Sequence, residues 1–276
     1  MPELPEVETI KEALRKSIDG TEILSVLIRN RNFRQRIPDD FEKIVTGTRI
    51  LSVCRRAKYV IITLDNGYCI IWHFGMSGRV KIISNPDNLI LDKHDHIVIR
   101  TSGDTLVFND ARRFGLMLYT KTETLTSHPL FTHLGPDPFE AELTSSYLAD
   151  KFKNKKTAIK IALLDQDIVN GIGNIYASEA LYDARISPLK ACCDLSVNEL
   201  KRLISSVRMT LKKAIAAGGS TLKDYRQPDG SMGYFQNQHC VYGKEGQPCP
   251  NCTCKNKIKK IVQGGRSTFY CEKLQK

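Results

Sequence analysis

The sequence lacks an uninterrupted apolar run of the roughly 20 residues that a membrane-spanning helix requires. Its first residues, MPELPEVETIKEAL, are acidic where a secretory or organelle-targeting signal is basic. It also lacks internal repeats and low-complexity segments, which excludes a repeat architecture. We therefore expect a soluble, intracellular globular protein whose nine cysteines are free thiols or metal ligands rather than disulfides.

Acidic side chains are outnumbered by basic ones in this chain. The 41 Lys and Arg residues exceed the 30 Asp and Glu residues, which gives a formal net charge of +11 and a pI near 9.2. This balance suits a polyanionic partner, with nucleic acid in the first place and an anionic membrane surface in the second. Charge alone does not separate these partners from a basic protein that binds neither, so the decision rests on motifs.

The first half of the chain has the pattern of a β-rich domain that begins with a helix. Pro5 suits a first helical turn, and apolar residues follow it at helical spacing: Val7, Ile10, Leu14 and Ile18. Residues 22–120 then contain short strand-like runs separated by turns. The pattern predicts an N-terminal β-sandwich domain over residues 1–130.

The second half has a different pattern. Residues 131–140, rich in proline and glycine, predict a linker. Residues 141–235 have mainly helical periodicity, and the last helix is expected to end at Gly218 and Gly219. Residues 236–276 form a basic, cysteine-containing tail with a β-hairpin-like stretch. The predicted fold class is therefore α+β, with a β-sandwich carrying a helix, a helical domain and a hairpin tail.

The N-terminal residues carry candidate chemistry. Met1 precedes a small residue, so its removal is expected to leave the secondary amine of Pro2 at the N-terminus. An α-amino group titrates at about 7.7–8.0, so a useful fraction is neutral and nucleophilic at cellular pH. Such an amine can attack a sugar C1′ to form an iminium ion, with a carboxyl group of Glu3 or Glu6 as proton donor. Taken alone, these residues favour an ordinary helix start, with proline in the first turn and acids that complement the dipole.

A series of motifs in a fixed order changes that interpretation. They are MPELPEVET at the start, RRAKY (55–59), HFGMSG (73–78), KHDH (93–96), DARRFG (110–115), HLGPDP (133–138), KKTAIK (155–160), LLDQDIVNGIGNIYASEAL (163–181), GGSTLKDY (218–225) and GRSTFYC (265–271). Together they closely resemble the bacterial formamidopyrimidine-DNA glycosylases over essentially the whole chain. The start PELPEV differs from the PEGPE start of the related endonuclease VIII branch and favours the purine-directed branch.

The resemblance implies a DNA glycosylase that is also a lyase and that flips a damaged base out of the duplex. Pro2 is then the Schiff-base nucleophile, and Glu3 is the general acid that completes base removal. Lys58, in RRAKY, assists β-elimination; without the motif it would be interpreted as a solvated lysine on a strand. Arg266, in the tail, grips the phosphates beside the flipped nucleotide and aids δ-elimination.

The resemblance also implies DNA contacts. Met76, Arg112 and Phe114 fill the space that the flipped base leaves, although outside the motif the two apolar residues would be interpreted as core. Phosphate contacts, which position the duplex without recognising its sequence, are assigned to His94, Lys155, Lys156 and Asn174.

Asn174 belongs to the helix-two-turn-helix element that the resemblance implies. It follows a glycine-rich turn and precedes a helical run, where a side-chain cap and free backbone N–H groups would face a phosphate. Taken alone, this turn is an ordinary helix start. The segment GGSTLKDY matches the loop that closes over the flipped base.

The tail contains an incomplete cysteine set for a zinc finger. Cys249 and Cys252 form one C-x-x-C pair, and Cys271 begins a second pair whose last position is Leu274. Structural zinc is almost always tetrahedral, so the resemblance implies one zinc ion with Cys254 as the nearest candidate for the fourth ligand. Two other candidates stay open: His239 and Cys240. The alternative is a metal-free hairpin held by apolar packing of Ile258, Ile261, Phe269 and Leu274.

The main hypothesis is a base-excision repair enzyme that removes oxidised purines, such as 8-oxoguanine and formamidopyrimidines, from double-stranded DNA. We expect a monomer in the bacterial cytoplasm, associated with the nucleoid through DNA. One alternative is the same chemistry on oxidised pyrimidines, as in the endonuclease VIII type. The other is a non-catalytic protein that binds damaged DNA, which Leu274 favours and which Pro2, Glu3 and Lys58 argue against, since binding alone does not use a free N-terminal amine.

Overall fold

The computed structural model describes residues 2–84, 86–87, 89–221, 225–252 and 256–276. The chain divides into two compact units. The first comprises the residues up to Thr132 together with Ala217–Gln236, and the second comprises His133–Ala216 together with Asn237–Lys276. None of the helices within the described ranges is both long and apolar enough to span a membrane.

The first unit consists mainly of two antiparallel sheets and the N-terminal helix. Its elements are α1 (Leu4–Ile18), β1 (Ile23–Ile28), α2 (Phe41–Val45), β2 (Ile50–Arg56), β3 (Tyr59–Leu64), β4 (Tyr68–His73), β5 (Arg79–Ile83), β6 (Asp95–Thr101), β7 (Thr105–Asn109) and β8 (Leu116–Lys121). One sheet has the strand order β1-β6-β7-β5, and the other has the order β2-β3-β4-β8. This arrangement confirms the predicted β-sandwich with a helix.

Apolar residues of α1 and of both sheets form the core of the first unit. The helical spacing of Val7, Ile10, Leu14 and Ile18 places all four on the buried face of α1. Fully burying one such side chain contributes about 1.5–3 kcal/mol, so this face attaches α1 firmly to the strands. The attachment fixes the position of the polar residues at the start of the helix.

The segment Ala217–Gln236 belongs to the first unit, whereas the sequence placed residues 141–235 in one helical domain. Tyr225 lies in the apolar core of the sandwich. The backbone N–H of Ile82, in β5, donates to the carbonyl of Pro228 at 3.3 Å. Because this segment has no regular periodicity, its contacts rather than its pattern decide where it belongs.

The second unit contains four helices and a hairpin among its described residues. They are α3 (Ser145–Phe152), α4 (Ile159–Ala162), α5 (Asn174–Asp183), α6 (Val197–Ala216), β9 (Lys259–Gln263) and β10 (Arg266–Tyr270). The hairpin turns at Gly264 and Gly265, whose φ angles of 53° and 72° suit the tight turn between two antiparallel strands. The fold class is α+β, as predicted.

The cysteine-containing tail packs with the helices and not as a separate body. Its apolar cluster contains one residue of α5, Tyr182, together with Val241, Cys249, Ile258, Phe269 and Cys271. A tail of this length cannot bury a sizeable core of its own, so the helix supplies part of it. The predicted segment 236–276 is therefore grouped with the helices in the second unit, apart from its first residue.

Candidate active site

The start of α1 is buried and joined to a distant glycine-rich segment. Pro2 is buried, and Glu3 is 3% exposed. The backbone N–H of Glu3 donates to Oε2 of Glu6 at 2.8 Å, and Oε1 of Glu6 accepts from the backbone N–H of Ser220 at 2.8 Å. Gly219 has a φ of +79°, and a Cβ there would lie 2.8 Å from Oε1 of Glu6, so glycine suits this approach. Glu6 therefore holds the start of α1 against the GGST segment.

Tyr225 forms a hydrogen bond to the start of the same glycine-rich segment. Its hydroxyl donates to the carbonyl of Gly218 at 3.2 Å. Burial raises the pKa of Tyr225, and the nearby charge of Glu6 raises it further. The phenol is therefore neutral at physiological pH. Residues 222–224, which complete the predicted GGSTLKDY loop, lie outside the described residues.

Arg55 connects α1 to the turn that carries Lys58. Its Nε donates to Oε2 of Glu8 at 2.6 Å, and its Nη1 donates to the carbonyl of Ala57 at 3.1 Å. Ala57 has a positive φ of 52°, so the turn between β2 and β3 is tight. Lys58 is 7% exposed, which contradicts the ordinary interpretation as a solvated strand lysine. One guanidinium thus links the N-terminal helix to the backbone beside Lys58.

His73 lies at the end of β4, close enough to Lys58 to be affected by its charge. Its Nδ1 accepts from the backbone N–H of Gly75 at 3.0 Å, and its ring lies 4.8 Å from that of Tyr59. Burial, followed by the charges of Lys58 and Arg34, lowers the pKa of His73 to about 4. The imidazole is therefore neutral at physiological pH and adds no positive charge beside Lys58.

Met76, Arg112 and Phe114 form an exposed group on the first unit. Met76 is 42% exposed and Phe114 is 45% exposed, so neither belongs to the core. The guanidinium of Arg112 lies 4.6 Å from the centre of the Phe114 ring. A flat cation stacked on an exposed ring, with a flexible thioether as a third member, has the shape and chemistry to enter a gap in a base stack.

Asp110 supports the loop that carries Arg112 and Phe114. Its carboxylate accepts from the hydroxyl of Ser77 at 2.5 Å and from the backbone N–H of Gly115 at 2.8 Å. A Cβ on Gly75 would lie 2.4 Å from the carbonyl carbon of Phe114, so the loop carrying Ser77 can approach only because residue 75 is glycine. The exposed side chains therefore project from a loop whose backbone is held by Asp110.

The predicted phosphate contacts in the first unit and at the start of the second differ in exposure. His94 is half-buried, and its carbonyl accepts from the backbone N–H of Asp110 at 3.0 Å, which attaches it to the loop described above. Lys155 is half-buried and Lys156 is exposed. Arg266 is exposed at the first position of β10.

Asn174 does not cap α5, which corrects the expectation from the sequence. It is the first residue of the helix, and the N-cap is Gly173, which has no side chain. The Asn174 amide instead donates to the carbonyl of Ser267 at 2.9 Å and accepts from Nζ of Lys160 at 2.5 Å. The side chain therefore joins the helix start to β10.

Three cysteines of the tail converge. The sulfur atoms of Cys249, Cys252 and Cys271 lie within 4.8 Å of one another. Cys252 is disulfide-bonded in the structure, which corrects the expectation that all the cysteines are free thiols or metal ligands. Thiolates bound to one zinc at about 2.3 Å are separated by about 3.8 Å, so this group fits such an ion once Cys252 is reduced. Among the described residues the group contains no fourth Cys, His, Asp or Glu, so neither His239 nor Cys240 joins it. Cys254 lies outside the described residues.

Family models match three parts of the chain. The formamidopyrimidine-DNA glycosylase N-terminal domain matches residues 1–117, the H2TH domain of the same enzymes matches residues 134–226, and a zinc finger found in FPG and IleRS matches residues 246–273. The formamidopyrimidine-DNA glycosylase of Novosphingobium aromaticivorans is 45% identical over 277 residues, with both chains fully covered. That of a Ruegeria species is 42% identical over 283 residues, again with full coverage.

The chain belongs to the formamidopyrimidine-DNA glycosylase family. Solved structures agree with this membership. The FPG of Lactococcus lactis, in complex with an abasic site containing DNA, has a TM-score of 0.91 at 32% identity and 99% coverage of both chains. MutM (FPG) from Thermus thermophilus has a TM-score of 0.87 at 37% identity, with 99% of this chain and 98% of that one covered.

Family membership makes this chain a DNA glycosylase of base-excision repair and confirms the family predicted from the sequence. The matched zinc-finger region includes Cys249, Cys252 and Cys271, and the convergence of their sulfur atoms suggests zinc binding. The side chain of Leu274 is half-buried and packs against the apolar cluster around these cysteines.

Several structural contacts were not identified from the sequence. The Glu6–Ser220 bond had a partial signal, because an acid three residues after Glu3 has the spacing of a capping box. No sequence signal indicated the contacts of Arg55, since an arginine on a strand is ordinarily solvated. Tyr182, whose hydroxyl lies 3.2 Å from Sγ of Cys249, resembled any helical core tyrosine.

Proposed function

We propose that this chain excises oxidised purines, such as 8-oxoguanine and formamidopyrimidines, and then cleaves the DNA strand by β,δ-elimination through a Schiff base at Pro2. The observation that carries the proposal is the buried start of α1. There the carboxylate of Glu6 accepts hydrogen bonds from the backbone N–H groups of Glu3, next to Pro2, and of Ser220 in the GGST segment. The solved complexes of a Lactococcus lactis FPG mutant with a Fapy-dG containing DNA and of Lactococcus lactis FPG with an abasic site containing DNA support the substrate class.

The proposed reaction begins at the amine of Pro2, which becomes the N-terminal group once Met1 is removed. Its nitrogen attacks C1′ while the bond between C1′ and the base breaks, and the base departs with the electron pair and a proton. Glu3 is the general acid for this step. The amine then loses its proton, the C1′–O4′ bond breaks as O4′ takes up a proton, and the opened sugar remains joined to Pro2 as an iminium ion.

Elimination follows from the iminium ion. Loss of a proton from C2′ expels the 3′ phosphate, and loss of a second proton, from C4′, expels the 5′ phosphate. Water then hydrolyses the iminium, which releases the sugar as an unsaturated aldehyde and frees Pro2. Lys58 assists the first elimination, and its burial beside the neutral His73 supports a role inside the site and not on the surface. Arg266 grips the phosphates beside the flipped nucleotide and aids the second elimination.

The remaining predicted residues hold the DNA. Met76, Arg112 and Phe114 fill the gap left by the flipped base, which their exposure and the stacked Arg112–Phe114 pair support. His94, Lys155, Lys156 and Asn174 contact phosphates. For Asn174 the contact is made by the backbone N–H groups at the start of α5, because its side chain is bonded to Ser267 and Lys160. The enzyme acts on double-stranded DNA as a monomer.

We also infer one zinc ion held by Cys249, Cys252 and Cys271, with Cys254 as the fourth ligand. The ion, when bound, stabilises the fold of the tail and takes no part in the reaction. Metal analysis of protein purified without chelator should give one zinc per chain. The Cys254→Ser variant should bind zinc more weakly, and equal affinity would exclude Cys254 as a ligand.

Borohydride trapping tests the central step. Reduction during the reaction on an 8-oxoguanine duplex should give a covalent protein–DNA adduct, and peptide mapping should locate it at Pro2. An adduct at Lys58, or no adduct at all, would overturn the proposed nucleophile.

A second candidate substrate class is oxidised pyrimidines. Wild-type Lactococcus lactis FPG has been solved with an oxidised pyrimidine containing DNA, which supports some activity of this kind. Excision rates on matched 8-oxoguanine and thymine glycol duplexes should differ in favour of the purine. A faster rate on thymine glycol would reverse the assignment.

A further inference from the structure

Helix α5 is hydrogen-bonded to the tail at both ends and in the middle. At its first residue, Asn174 donates to the carbonyl of Ser267 in β10. In its last two turns, the carboxylate of Glu179 accepts from the backbone N–H groups of Cys240, Val241 and Tyr242 at 2.8–3.0 Å. Near its end, Tyr182 contacts Cys249. The helix therefore acts as the frame on which the cysteine-containing tail is built.

The contact between Tyr182 and Cys249 is buried. Tyr182 is 2% exposed and Cys249 is 6% exposed, and the hydroxyl oxygen lies 3.2 Å from Sγ. While Cys249 is a thiol, either group can be the donor. A metal-bound cysteine is a thiolate without a proton, so only the tyrosine can then donate. Metal binding therefore gives this hydrogen bond a single direction, from oxygen to sulfur.

The cysteine group has a reason to need such a donor. It contains three cysteine sulfur atoms among the described residues, of which that of Cys252 becomes a ligand only after reduction, and the half-buried Leu274 that packs beside it offers no ligand atom. A hydrogen bond to a ligand stabilises its charge and fixes its orientation toward the metal. Removing such an outer-sphere partner typically lowers metal affinity about 10–100-fold.

We propose that Tyr182 is a positioning residue of the metal site, which donates a hydrogen bond to the Cys249 thiolate and orients it toward the ion. The inference rests on the zinc site of the proposed function and adds a residue from outside the zinc-finger region. It makes metal affinity depend on α5, the same helix whose first residue is bonded to β10.

The Tyr182→Phe variant tests this role, because it keeps the ring that packs in the apolar cluster and removes only the hydroxyl. Zinc affinity is measured on the full chain by competition with a chromophoric chelator. We expect an affinity about 10–100-fold lower than that of the wild type. The matched control is Tyr147→Phe, which removes a hydroxyl bonded to the carbonyl of Ile168 at 3.0 Å in the same unit and should leave zinc affinity unchanged.

Cobalt substitution distinguishes a hydrogen bond to the ligand from a purely structural role, because only the hydrogen bond affects the energy of the absorption band. The sulfur-to-cobalt charge-transfer band of Tyr182→Phe should shift in energy, because the electron density on Sγ of Cys249 changes when the hydrogen bond is lost. A loss of packing alone would reduce the amount of bound cobalt and leave the band energy unchanged. If Tyr182→Phe does not fold, the same substitution is compared in a Leu274→Cys background, where an additional thiolate stabilises the site.

Lower affinity together with a shifted band supports the role of Tyr182. Equal affinity and an unshifted band in Tyr182→Phe, with zinc bound by the wild type, would overturn it and leave the metal site standing. A wild-type chain that binds no zinc would overturn the metal site itself and this role with it.

Discussion

The start of α1 and the cysteine group of the tail are both positioned by a helix, but by different chemistry. At the start of α1, one buried carboxylate accepts two backbone hydrogen bonds, and the geometry is complete with protein atoms alone. In the tail, three sulfur atoms converge beside Leu274, and one of them is bonded to a helical tyrosine.

This difference between the two regions shows which part of the protein depends on a bound ion. The proposed catalytic residues at the start of α1 lie in the first unit, where Glu6 binds the backbone of Glu3 and Ser220 without an added ion. The metal site lies in the second unit and, on our proposals, serves only the shape of the tail. The absence of a cysteine at position 274 is therefore compatible with an intact reaction centre. Four predictions test this comparison.

The largest effect is expected for Glu3→Gln. A positioned general acid contributes roughly 100- to 10,000-fold to rate, so excision of 8-oxoguanine should fall by about that factor. Cleavage at a preformed abasic site needs no departing base and should be nearly unchanged. Both rates are measured by strand incision on matched duplexes. Equal losses on both substrates would show that Glu3 has a structural role instead.

Glu6→Ala is expected to destabilise the first unit. It removes the acceptor for the N–H groups of Glu3 and Ser220, and each buried bond lost costs about 1–3 kcal/mol, so the total is about 4 kcal/mol. Thermal unfolding measures this change. Glu12→Ala, on the exposed face of the same helix, is the control and should have little effect. Similar unfolding temperatures for both variants would contradict the importance of the Glu6 contacts.

Acid should destabilise the first unit through His73. Because its folded-state pKa is lowered from 6.5 to about 4, the unfolded chain binds the proton more readily between these values. Stability is full above pH 6.5 and falls by roughly 3 kcal/mol as the pH drops to about 4.

Calorimetry between pH 7 and pH 4 checks this effect. In His73→Gln, the first unit should lose much of its acid sensitivity. The second unit should keep its own, since burial also lowers the pKa of His239 to about 4. An unchanged pH profile of the first unit in His73→Gln would contradict the assignment.

Zinc removal should have the smallest effect and should act on the other unit. At a free zinc concentration 100-fold above Kd, bound metal stabilises the folded state by about 2.7 kcal/mol. A chelator should therefore lower the unfolding temperature of the second unit and leave that of the first unit unchanged. A chelator that lowers the unfolding temperatures of both units equally would contradict this prediction.

The local elements were predictable because their signals are local. The apolar spacing from Val7 to Ile18 predicted α1, and the strand-like runs predicted the sandwich. The resemblance assigned Met76, Arg112 and Phe114 to one role. In the structure Met76 and Phe114 are exposed and the Arg112 guanidinium lies over the Phe114 ring, while the role itself stays a prediction. The assignment of Ala217–Gln236 to the first unit was not predictable, because these residues have no periodicity.

The sequence by itself determined the elements, the residue types that carry the chemistry and the family. Only the tertiary structure decided the contacts that hold them in place. The Glu6–Ser220 bond joins residues 214 positions apart, and the Tyr182–Cys249 contact joins residues 67 positions apart. No local pattern encodes such pairs, because each depends on how all the intervening residues pack.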